Sequence, residues 1–185
     1  MIPDITVQGS DSREMEARIK RAMTLLKGSE LLVGIPAEEN TREGEPIGNA
    51  AIGYIQEFGA PEAGIPARAF LYPGMKAAAK DITDLLADAA RAALRGDAGG
   101  VMAGFHAAGQ VAVNAVTARF VDNDWPALSK ATLAARWRAQ TPQPQQQAGQ
   151  RRKPRPVQAP DKSNPLMDSR SLIRSITYVI RRRGQ

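Results

Sequence analysis

The side chains able to carry chemistry are few. The single histidine, His106, rules out a multi-histidine metal site and leaves Ser–His–Asp chemistry resting on one residue. It falls in an alanine-rich stretch beside Phe105, with no serine near it and Asp97 as the nearest acid, so a partly buried or interfacial histidine is expected. The chain has no cysteine, which excludes disulfides, thiolate zinc sites, iron–sulfur clusters and cysteine nucleophiles. Glu38, Glu39, Glu43 and Glu45 share one polar stretch, but their spacing fits no calcium loop and reads as a solvated acidic loop. The Gly-Glu-Pro-Ile-Gly-Asn run at 44–49 lacks the Lys-Ser/Thr of a phosphate loop, and the glycines of 96–100 read as a helix stop followed by a helix start. Asp81, Asp84 and Asp88 recur at helical spacing with Lys80 and Arg91 nearby, the pattern of an exposed charged face. No enzymatic activity, metal or cofactor is expected.

The strongest compositional signal is charge. Of the 185 residues, 1–150 hold 15 Lys/Arg against 17 Asp/Glu, whereas 151–185 hold 10 against 2. The basic character is therefore local: Arg151, Arg152, Lys153 and Arg155, then Arg181, Arg182 and Arg183. Such a run meets either nucleic acid, through counterion release, or an acidic protein neighbour. No aromatic is interleaved at 151–156, so a base-stacking platform is not expected. An apolar share of 43% fits a folded domain, while aromatics at 5% leave the core with few bulky side chains, so oligomerisation is expected to supply part of the stability. No run approaches the ~18 apolar residues of a membrane span. The first residues lack a basic and then apolar leader pattern, so a reducing intracellular environment is expected.

The elements that must position these residues follow from periodicity. Ile5 and Val7 alternate with polar neighbours as a short strand does. Met15, Ile19, Ala22, Met23 and Leu26 form a helical stripe after Asp11 or Ser12 and before Gly28. Residues 31–35 read as a strand and 37–49 as a loop or long hairpin tip. Residues 50–58, rich in aromatic and β-branched types, read as a second strand whose first half could be helical. Residues 59–68 are irregular. Two alanine-rich helices follow over 74–95 and 101–120. Ser129 is placed to cap a helix reaching about Gln140, with Leu128 and Leu133 as a hydrophobic staple. Residues 141–164, rich in proline and glutamine, read as an extended arm or mobile loop. Asp168 or Ser169 is placed to cap a turn over 170–174, and 175–180 alternate as a half-buried strand.

Three segments together resemble known proteins. Residues 54–59 (YIQEFG) with 64–71 (GIPARAFL) resemble the EFG…IPARPFL signature of tailed-phage tail-completion, neck and minor tail proteins. Trp125-Pro126-Ala127-Leu128-Ser129, with Thr132 and Arg136, resembles an element of phage virion-morphogenesis proteins. Residues 165–176 (PLMDSRSLIRSI) resemble the segment preceding their last strand, with Ser169-Arg170 in place of Thr-Gly, as Ala69 stands in place of a proline. The resemblance implies an α+β fold, a small and mostly antiparallel sheet packed against several helices. Composition and periodicity divide the chain into a core over 1–140, an arm over 141–164, and a turn and strand over 165–185 returning to the core sheet.

The resemblance further implies a non-enzymatic structural virion protein forming a cyclic homo-oligomer, a hexamer or dodecamer. Such a ring sits at the head–tail junction around the DNA channel, against neck, portal-adaptor, tail-tube or terminator proteins, after assembly in the bacterial cytoplasm and with no membrane partner. A tail terminator, a minor tail component, or a basic nucleic-acid-binding assembly factor are the alternatives. Glu57, Phe58, Gly59, Ile65, Pro66, Arg68, Phe70, Trp125 and Leu172 carry the signature and are candidate intersubunit contacts. Glu57 and Arg68 are expected to form a salt bridge worth roughly 0–1 kcal/mol, valuable for position more than for energy. Phe58, Phe70 and Leu71 are expected in the core, with Arg68 the better candidate for an intersubunit contact.

Overall fold

The computed structural model describes residues 10–41, 46–122, 125–134, 166 and 170–182. The elements are α1 (Ser10–Lys27), β1 (Ser29–Gly34), α2 (Asn49–Phe58), α3 (Leu71–Ala77), α4 (Ala79–Leu94), α5 (Ala98–Asp122), a helical segment over 130–134 (α6), α7 (Ser171–Arg174) and β2 (Thr177–Arg182). The strand expected at Ile5 and Val7, the arm 141–164 with Arg151, Arg152, Lys153 and Arg155, the caps Asp168 and Ser169, and Arg183 lie outside the described residues.

The fold is α+β. β1 and β2 pair antiparallel, with Leu31 opposite Ile180 and Val33 opposite Tyr178. These four side chains alternate with Glu30, Leu32, Val179 and Arg181, so they share one face of the sheet. Leu31 and Ile180 join a cluster with Ala22, Ala92, Ala93, Val101 and Phe105, which places helices on that face. On the opposite face Leu32 is 38% exposed.

α5 is the spine, 25 residues and about 37 Å long. Its buried positions, Val101, Phe105, Ala108, Gly109, Ala112, Val116 and Phe120, recur every three or four residues and touch every part of the core. Small residues let neighbours approach its backbone. A Cβ on Gly104 would lie 2.7 Å from the Ala89 Cβ of α4, and one on Gly74 of α3 would lie 2.6 Å from the Val116 Cα. The second contact is with backbone, so Gly74→Ala should part α3 from α5 at a cost of about 1–3 kcal/mol. A lowered urea midpoint at unchanged slope is the expected result, and an unmoved midpoint would contradict it.

The α4–α5 connection follows the sequence reading. Gly96 takes φ +76, and the Asp97 carboxylate accepts the Gly100 N–H at 2.8 Å. On α4 the expected charged face is present, with Lys80–Asp84 at 2.6 Å and Arg91 paired to Asp88 on exposed positions. The hydrogen bond to Asp84 raises the Lys80 pKa above its ordinary value.

The structure corrects several expectations. Residues 49–58 form helix α2, not a strand. Its first N–H groups are met from a distant loop: the Asn49 N–H donates to the Asn40 backbone oxygen at 2.9 Å and the Ala50 N–H to Asn40 Oδ1 at 2.7 Å. Gly59, at φ +77, ends the helix with its N–H on the Ile55 oxygen. The helix expected over 74–95 is two helices, α3 and α4, broken at Ala78. Arg170, in the left-handed region at φ 57, occupies the N-cap of α7 with no side-chain cap. Arg181 and Arg182 are the last residues of β2, where Arg181 lies opposite Glu30. His106 is exposed on α5, its Nδ1 3.1 Å from the Tyr178 hydroxyl.

Candidate interaction surface

The signature residues build a clamp. The chain leaves α2 at Gly59, closes a small loop through the Ala60–Ile65 bridge, and re-enters helix at Leu71. A helix start leaves orphan N–H groups. The Glu57 carboxylate takes them all: Oε2 accepts from Phe70 and Leu71 at 2.8 Å each, and Oε1 accepts from Tyr72 at 2.9 Å. The next residue, Pro73, has no N–H to satisfy. Negative charge there also complements the helix dipole. Glu57→Ala should cost about 1–3 kcal/mol, because the N–H groups lose their acceptor, and Glu57→Gln should cost less because its amide oxygen still accepts. Thermal unfolding of the two variants checks this, and an Ala variant as stable as the parent would contradict it.

Arg68 does not pair with Glu57. It is 4% exposed, with Nε donating to the Pro126 oxygen at 3.1 Å and Nη2 to the Ala127 oxygen at 3.5 Å. Its guanidinium thus ties the first signature segment to the second from inside the fold. The backbone of Arg68 is fixed as well, its N–H on the Gln56 oxygen at 2.6 Å. Trp125 completes the tie by donating Nε1–H to the Ala69 oxygen at 3.2 Å.

Aromatic packing joins the third segment. Phe70 is 3% exposed and meets Phe120 at a centroid distance of 4.9 Å; Phe120 meets Trp125 edge-on at 6.0 Å. Leu166, Leu172 and Ile176 are buried in the same cluster. Ser171 Oγ donates to Asn49 Oδ1 at 3.1 Å, and Asn49 Nδ2 donates to the Glu39 oxygen at 3.1 Å, so α7 is latched to α2. Beyond Trp125, Ser129 caps α6 as expected, its Oγ accepting the Thr132 N–H at 3.1 Å.

The expected contact set therefore divides. Phe70 and Leu172 are core, and Glu57 and Arg68 are internal fasteners. Gly59 permits a backbone approach, since a Cβ there would meet the Ala67 nitrogen at 2.9 Å. Ile65 and Trp125 are half-buried, and Pro66 is exposed. Phe58 is not core: it is 66% exposed and meets the ring of Tyr54, itself 67% exposed, in a tilted contact at 4.8 Å.

These two rings and Tyr72, 69% exposed, stand at an apolar groove of about 790 Å³. It is lined by Leu31, Val33 and Ile35, by residues of α2 and α3 that include Met75, and by Ile82, Leu86 and Phe105. Exposed aromatics beside a groove are the side chains most enriched at protein interfaces. The sequence reading missed Tyr54 and Tyr72 as surface residues. The spacing of Tyr54 and Phe58, four apart before a helix-ending glycine, was the available signal.

Among the described residues no group of three His, Asp or Glu is placed to hold a metal, and no helix is long and apolar enough to cross a membrane. No family model matches the chain, and no curated protein or solved structure matches it.

Proposed function

We propose that the chain is a structural, non-enzymatic virion protein of a tailed bacteriophage, forming a homo-oligomeric ring at the head–tail junction and joining head to tail around the DNA channel. The observation that carries this reading is the convergence of the three signature segments. They are scattered from Tyr54 to Ile176 in sequence, yet Glu57, Arg68, Phe70, Trp125, Leu172 and Ile176 form one continuous clamp and core. In this reading the signature preserves the fold, and Tyr54, Phe58 and Tyr72 beside the groove make the ring contact. A head-to-tail contact between different patches closes into a ring when its rotation closes. The basic residues Arg151, Arg152, Lys153 and Arg155 face DNA in the channel or an acidic neighbouring protein.

Deletion of the gene from its phage tests this. DNA-filled heads and separate, complete tails are expected, with joining restored by a plasmid copy. Joined, infectious particles from the deletion would contradict the role. Charge reversal at Arg151, Arg152, Lys153 and Arg155 should lower the yield of joined particles at least tenfold, and a full yield would remove the arm from the proposal.

A further inference from the structure

The central helix turns two different sides to its surroundings. Phe105 and Ala112 of α5 line the apolar groove. At about 100° per residue, Ala103, Gln110, Asn114, Ala118 and Val121 point about half a turn away from it. All five are exposed. This far side is uncharged: residues 98–118 hold no Asp, Glu, Lys or Arg, in a chain that is 24% charged. The first charges after it, Arg119 and Asp122, pair with each other at 2.9 Å. The other long helices differ. Arg13, Glu14 and Lys20 are exposed on α1, and Asp81, Asp84 and Arg91 on α4. A helix face that meets only water carries charge in that way, whereas depletion of charge marks the core of a protein interface.

The aromatic rim of the groove is neutral as well. Ala51, Tyr54 and Phe58 recur at helical spacing on the exposed side of α2, and Tyr72 stands with the two rings at the groove. The three rings, each about two-thirds exposed, offer about 300–500 Å² of surface. That is over a third of the ~800 Å² per partner in a standard interface. Exposed apolar area of this size in one place marks an interaction site.

We propose that the ring contact joins these two surfaces, with the aromatic rim of one copy seated on the far side of α5 in the next copy. The inference rests on the ring reading and deepens it by supplying the second patch. The two patches lie on opposite sides of one subunit, so each copy offers one to the neighbour on either hand, as a head-to-tail ring requires. The small side chains of Ala103 and Ala118 let the rings lie close against the helix. The hydroxyls of Tyr54 and Tyr72 find partners in the amides of Gln110 and Asn114, which already share a hydrogen bond at 2.9 Å.

The chain has no native cysteine, so cross-linking tests the contact directly. Ala51→Cys is combined in turn with Ala103→Cys, Gln110→Cys and Ala118→Cys in the full chain. The two cysteines of one molecule lie on opposite sides, beyond the ~7 Å Cα separation a disulfide spans, so no bridge within a chain competes. After mild oxidation, at least one double variant should give a ladder of covalent oligomers on a non-reducing gel, and no single variant should. Dimers from Ala51→Cys alone would set two grooves face to face and overturn the proposal. So would the absence of a ladder from every double variant, or an equal ladder from Ala51→Cys with Glu14→Cys on α1. Native mass spectrometry of the unsubstituted chain separates two kinds of failure. An oligomer without the ladder discards this pairing of surfaces and leaves the ring reading standing, whereas a monomer discards both. Ala118→Arg should keep the denaturation midpoint and lower the oligomeric share at least about tenfold. An oligomer as abundant as the parent's would also overturn the proposal.

Discussion

Phe120→Ala is expected to lower the free energy of unfolding by about 3–5 kcal/mol, the largest loss of any single truncation considered. Phe120 is 0% exposed and is one of the largest fully buried side chains. Its ring lies between Phe70 of the first signature segment and Trp125 of the second, in a cluster that also takes Leu172 and Ile176 of the third. Removing it opens a cavity where all three meet. The backbones of α3 and α5 are already in contact through Gly74, so the site has little room to collapse. With total stability on the order of 5–15 kcal/mol, such a loss brings the chain close to unfolding. Chemical denaturation of the full chain measures it, with Val121→Ala as the control. Val121 is the next residue, 75% exposed, and its truncation should stay within about 0.5 kcal/mol. A loss below about 1 kcal/mol for Phe120→Ala would contradict the clamp.

The second large effect belongs to the surface, and it should spare stability. Phe58→Asp places a charge in the middle of the exposed ring pair and beside the groove. Phe58 is 66% exposed, so the folded chain loses little by the change. A central aromatic at an interface contributes about 2–4 kcal/mol, which is about a 30- to 1,000-fold weaker contact. On the proposed role, the variant should fold with an unchanged denaturation midpoint and fail to restore head–tail joining to the deletion phage. Full restoration would exclude the Tyr54–Phe58 pair as the ring contact. A collapsed midpoint would show that Phe58 serves the fold instead.

The elements with a single dominant period were legible in the sequence. α5 buries the residues its pattern selects and β1 and β2 turn theirs to the helices, because one face of each meets one surface, whereas α1 buries Ala22 of its stripe and leaves Met15 45% exposed. α2 was not, and the reason is physical. Its composition, with Ile52, Tyr54, Ile55 and Phe58, is that of a strand, and its helix start is fixed by Asn40, a residue in a loop nine positions upstream of Asn49. Local propensity is overridden by a cap that only the fold supplies. The same holds for Glu57. A carboxylate and an arginine eleven residues apart suggest an ion pair, but the N–H groups at the start of α3 and the carbonyls of Pro126 and Ala127 compete for them and win. A buried N–H without an acceptor costs more than an exposed ion pair returns. The groove was illegible because it is an absence of packing between β1, α2 and α3, elements that no local pattern brings together.

The central proposal, a ring at the head–tail junction, is tested most directly on purified particles of the phage that encodes the chain. Quantitative mass spectrometry gives the copy number per particle, and antibody labelling in the electron microscope gives the position. The proposed role predicts a small multiple of six copies with label at the junction between head and tail. Hundreds of copies along the tail or over the head, or absence from mature particles, would contradict it.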